Sequence, residues 1–148
     1  MIRSVGSSLP SFKALTFQSG LNVVLAERAE GSERTDTRNG LGKSSLLEII
    51  HFVLGGGAER EHPFRQPPLD EYTFTVAFDL GDRVIAATRG GQDPQHVLVT
   101  DPDTGESERL PVAAWRARLG NEMFGLAQDA PKYSPSFGSL RVLLLRAR

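Results

Sequence analysis

Cysteine is absent from this 148-residue chain. That excludes a disulfide framework, a thiolate zinc centre and a thiol nucleophile. Charge of one sign is missing too: 17 Lys and Arg stand against 18 Asp and Glu, for a net charge of −1. No bulk electrostatic pull toward nucleic acid or a membrane surface follows from that balance. No apolar run approaches the roughly 18 residues of a membrane span, and Met1 to Ser8 lack the apolar core of a signal peptide. The expectation is a cytoplasmic protein with no membrane partner. Lysine is scarce: Lys13, Lys43 and Lys132 stand beside fourteen arginines, a bias that a GC-rich genome explains. His51 and His62 are not metal-spaced with other ligands and read as ordinary surface or core histidines.

What is present is dominated by one stretch, Asn39-Gly40-Leu41-Gly42-Lys43-Ser44-Ser45, which runs into Leu46 to Leu54. It ends in the Gly-Lys-Ser of a phosphate-binding loop. Gly40 and Gly42 let successive backbone N–H groups turn toward one anion. Lys43 brings a point charge to the β- and γ-phosphates, and the Ser44 hydroxyl is placed for Mg²⁺. A helix starting there aims its positive end at the phosphates. Upstream, Leu21 to Ala26 is a short apolar run of the kind a parallel strand buried on both faces requires. Downstream, apolar residues nearly encircle the helix, which predicts burial. Thr37 stands where the first glycine of the pattern belongs. Alternatively Ala26 takes that place and Glu27 to Arg38 is an insertion, which fits better because such a loop follows its strand directly.

Around this stretch the chain reads as one domain with three parts. Residues 1–57 hold short strands, the loop and its helix. The polar, mixed-charge residues 27–38 form an exposed loop, either a solvated insertion or a lid with Arg34 or Arg38 reaching phosphate. Prolines and charges make 58–70 a linker. From Glu71 the pattern turns to period two: Tyr72, Phe74, Val76 and Phe78 mark one face of a strand, and turns at Gly81-Asp82, Gly90 to Pro94 and Asp101 to Gly105 predict an antiparallel meander to Leu110. Pro111 to Leu119 predicts a helix stopped by Gly120 and docked by Trp115. Ser136 caps a last apolar helix, Phe137 to Arg146, which asks for further sequence or a partner to cover it.

Ser11-Phe12-Lys13, Gly20 to Val24 and Asn39 to Ile50 together resemble the N-terminal lobe of ABC-type ATPase heads of the SMC, RecN and RecF group. The Arg38 to Ser44 loop and the Tyr133 to Phe137 segment are most similar to an SMC-related bacterial branch linked to DNA maintenance or phage defence. The resemblance implies an α/β P-loop NTPase fold with an antiparallel β subdomain at 71–110 and a helical arm beginning in 111–148. It implies ATP and Mg²⁺ as ligands, held by Lys13, Arg38, Asn39, Gly40, Leu41, Gly42, Lys43, Ser44 and Ser45, with Ser44 on the metal and Lys43 as the catalytic cation. It implies as partners a C-terminal ATPase lobe or a second copy of the head, and DNA through the assembled complex.

An ABC head also needs a Walker B strand and a signature motif. Neither is in the chain; Asp79 and Asp101 are the nearest aspartates after apolar runs, and Gln128 is the nearest glutamine for the metal. The expectation is therefore nucleotide binding with hydrolysis completed from elsewhere. Two alternatives stay open: a complete small P-loop kinase or GTPase, and a non-catalytic interaction module that keeps the loop as an anion site.

Overall fold

Alternating apolar residues build most of the molecule. The computed structural model describes residues 1–23 and 43–126, with the backbone alone for Lys43. Six strands form one sheet: β1 (Ile2–Ser7), β2 (Leu15–Thr16), β3 (Thr73–Leu80), β4 (Arg83–Gly90), β5 (His96–Thr100) and β6 (Ser107–Pro111). Their order is β2-β1-β3-β4-β5-β6, and every neighbouring pair is antiparallel. Two helices, α1 (Lys43–Val53) and α2 (Val112–Phe124), pack on the same sheet face.

The period-two pattern decides which face is buried. Phe74, Val76, Phe78 and Leu80 of β3 point inward, as do Ile85 and Ala87 of β4 and Val97 and Val99 of β5. Tyr72 falls just before β3 and is half-buried. Burying a side chain of this size contributes about 1.5–3 kcal/mol against leaving it in water. The opposite face is tied by cross-strand hydroxyls: Thr75 Oγ1 lies 2.8 Å from Thr88 Oγ1, and Thr100 Oγ1 lies 2.9 Å from Ser107 Oγ. Gly81 opens the two-residue β3–β4 turn with φ +60°, the positive φ that a primed hairpin turn needs at that place.

The helix α1 puts Ile49, Ile50, Phe52 and Val53 into the core. It ends in a glycine cap. The N–H of Gly56 donates to the His51 carbonyl at 2.7 Å, and that of Gly55, at φ +87°, donates to Phe52 at 3.1 Å. This is the paired-bond ending that a left-handed glycine permits. Trp115 locks α2 to α1: its ring is fully buried and its Nε1–H donates to the Val53 carbonyl at 3.0 Å.

Several expectations are corrected. The α/β P-loop NTPase architecture is not what the described residues form, since the sheet is wholly antiparallel and mostly β. Tight turns join β3 to β4 to β5 to β6, and such turns place consecutive strands antiparallel. Leu21 to Val23, expected as the start of a buried parallel strand, is in no strand; Leu21 is 94% exposed and Val23 66%. Of the short strands expected before the loop, the second is confined to Leu15–Thr16. Residues 58–70 are less irregular than their prolines suggest. They hold a 3-10 turn, Pro63–Arg65, that buries Phe64. Gly120 does not stop α2; it is buried within the helix, and Gly125 at φ +62° ends it. The residues 24–42 and 127–148 lie outside the described set, and with them the insertion 27–38, Gln128 and the last predicted helix.

Candidate functional site

The start of α1 is where the sequence pattern places a phosphate site. Lys43 is the first described residue of α1, and Ser44 and Ser45 behind it are exposed. The first N–H groups of a helix have no intrahelical partner. No acidic side chain occupies this first turn, so the positive end of the helix dipole is not neutralised from within. Arg38, Asn39, Gly40, Leu41 and Gly42 lie outside the described residues. Lys13 is exposed in the segment before β2, and among the described residues no hydrogen bond or ion pair carries it to α1.

The other end of α1 is held by a residue that the motif does not announce. Arg89 of β4 is only 3% exposed. Its Nη1 donates to the Gly56 carbonyl at 2.9 Å and also to that of Phe52, while Nε donates to Pro94 at 2.8 Å. The guanidinium carbon sits 4.3 Å from the centre of the Phe52 ring. A cation at a helix C-terminus complements the carbonyl end of the dipole. The sequence carries a signal for Arg89: it falls on the inward phase of β4, two residues after Ala87, where an apolar residue belongs.

The outer side of α1 carries a second pairing that spacing alone did not reveal. Glu48 Oε1 lies 3.1 Å from His62 Nε2. The His62 ring stacks on Phe52 at 5.2 Å and lies 5.3 Å from Phe64. Its Nδ1 accepts the Phe64 N–H at 3.3 Å and caps the 3-10 turn.

The two aspartates nearest to a Walker B pattern have structural partners. Asp79 meets Arg3 Nε at 2.8 Å and the N-terminal ammonium at 3.2 Å. The Arg3 hydrogen bond, aided by that ammonium, holds its carboxyl below the ordinary aspartate value. Asp101 Oδ1 accepts the N–H groups of Asp103 and Thr104 and shapes its own turn.

A separate groove of about 310 Å³ opens near the β4–β5 turn, lined by Tyr72, Thr88, Asp93, His96, Leu98 and Arg109 among others. Asp93 accepts from Arg109 Nη2 at 2.6 Å and pairs with His96 Nδ1 at 2.8 Å. The His96 hydrogen bond, then the Arg109 guanidinium, hold the Asp93 carboxyl below its usual range. Among the described residues no group of three or more His, Cys, Asp or Glu could hold a metal ion.

Comparison with known proteins gives a distant relative. Over 134 residues the chain is 25% identical to the uncharacterised protein YydD of Bacillus subtilis (strain 168). The match takes in 86% of this chain but 22% of the relative, so the chain spans about a fifth of that protein's length. No family model matches, and no solved structure matches, P-loop NTPases included.

Proposed function

We propose that this chain binds the triphosphate of ATP, with Mg²⁺, at the start of α1. The observation that carries the reading is that Lys43 and Ser44 of the Gly-Lys-Ser sequence lie on α1, with Ser44 and Ser45 exposed and no carboxylate in its first turn. Lys43 offers an ammonium to the β- and γ-phosphates, Ser44 a hydroxyl to the metal, and the helix a set of unpaired N–H groups. Arg89 supports this by fixing the far end of the same helix to β4. The resemblance to SMC-like ATPases extends the reading to a role in DNA maintenance or phage defence, with DNA met through an assembled complex. It rests on residue pattern, not on the sheet. In this reading turnover needs an acidic residue and a signature segment from another polypeptide region or a second copy.

The test is a thermal melt with Mg-ATP, Mg-GTP and neither, on the wild type and on Lys43→Ala. A ligand at ten times its Kd adds about 1.4 kcal/mol, a rise of roughly 3–6 °C for a chain of this size. We expect that rise with Mg-ATP and its loss in Lys43→Ala, with no more than trace hydrolysis. Equal melting temperatures with and without Mg-ATP would leave a non-catalytic interaction module. A larger shift with GTP, or clear turnover that Lys43→Ala abolishes, would mark a self-sufficient kinase or GTPase instead.

A further inference from the structure

We propose that His62 is a proton-operated latch that holds the loop between α1 and β3 onto α1. The Phe64 N–H donates to Nδ1, so Nδ1 carries a lone pair. In a neutral imidazole the hydrogen then sits on Nε2, which donates it to Glu48. Both ring nitrogens are satisfied in this one tautomer. Protonation adds a hydrogen to Nδ1, where the Phe64 N–H already points. Two donors cannot share that position, so the cap of the Pro63–Arg65 turn must break while the Glu48 contact survives as an ion pair.

The consequence reaches the core because of what the turn carries. Phe64 is buried, and its ring centre lies 4.2 Å from that of Phe74 on β3. The His62 side chain is 10% exposed, so its proton arrives in a confined place. Among the described residues, the charged groups around the ring come from three elements. Glu48 of α1 faces Nε2, Arg89 of β4 lies against the same Phe52 ring, and Glu59, Arg60, Glu61 and Arg65 belong to the loop itself. The distinctive outcome of the added proton is the lost cap, since none of these groups restores an acceptor position on Nδ1. Acidification therefore loosens residues 58–70 before it loosens the sheet. The latch stands independently of any nucleotide at the other end of α1.

Amide hydrogen exchange and ¹⁵N spectra of the histidine ring test this on the full chain. At pH 8 the ring should be in the Nε2–H form with a protected Phe64 amide. Across the pH range in which the His62 ring itself is seen to protonate, the Phe64 protection factor should fall by about fivefold or more, the scale of a lost cap, while that of Val76 holds. His62→Asn keeps a side-chain acceptor for the Phe64 N–H without a titrating group, and should make that protection independent of pH. An Nδ1–H ring at pH 8, a Phe64 protection unchanged on ring protonation, or the same fall in His62→Asn would each overturn the latch.

Discussion

Arg89 shows how much one side chain can organise. Its guanidinium serves carbonyls from α1, from the glycine cap behind it and from the β4–β5 turn. Arginine suits this because its planar fork addresses several acceptors at once. Leucine at this position would fill part of the volume and leave those carbonyls without donors. A buried carbonyl without its donor costs about 1–3 kcal/mol. We therefore expect Arg89→Leu to lose about 3 kcal/mol or more, seen as a lower urea midpoint with an unchanged slope. Arg89→Lys should recover only part of that loss, since a single ammonium cannot span the same acceptors.

At the scale of elements, the meander and the α1 helix were legible and the stretch from Leu21 was not. Phe74, Val76 and Phe78 alternate cleanly, and Gly81-Asp82 is strong turn chemistry, so β3 and β4 follow from local rules. The helix Lys43–Val53 was legible from the apolar residues behind the glycines. The apolar run from Leu21 suggested a buried strand by composition alone, yet burial depends on neighbours, and among the described residues no strand pairs with Leu21 or Val23. The Glu48–His62 pairing was illegible for a related reason: fourteen residues separate the two, and no short-range pattern announces such a contact. Gly91 is a further case. A methyl group there would lie 1.8 Å from the Phe64 carbonyl oxygen and 2.8 Å from the Asp70 Cα. The β4–β5 turn thus presses directly on the loop that carries Phe64. Gly91→Ala should part the two and lower the melting temperature by roughly 10 °C or more, as a clash against backbone demands.

For the whole molecule, the decisive fact is the strand order. β1 lies between β2 and β3, and its Val5 side chain is fully buried in the common core. Residues 1–8 are therefore an inner piece of the sheet, although they come first in the chain. Deleting them should uncover the β3 edge and Val5's place in the core. The shortened chain should bind a hydrophobic dye and lose the sharp thermal transition of the full one. A deletion variant that melted as cooperatively as its parent would show β1 to be dispensable. The candidate phosphate site behaves differently at this scale: it was legible as a motif, and its use depends on chemistry that the fold does not by itself specify.

The placement of β1 also has a temporal side. The Ser7 hydroxyl donates to the carbonyl of Thr73, a residue 66 positions later. A ribosome adding 5–20 residues per second takes roughly 3–13 s to cover that interval. Throughout it, the newborn first strand has at most the short β2 segment beside it. The cell must therefore keep a strand with one unpaired edge out of trouble until the second half of the sheet emerges to receive it.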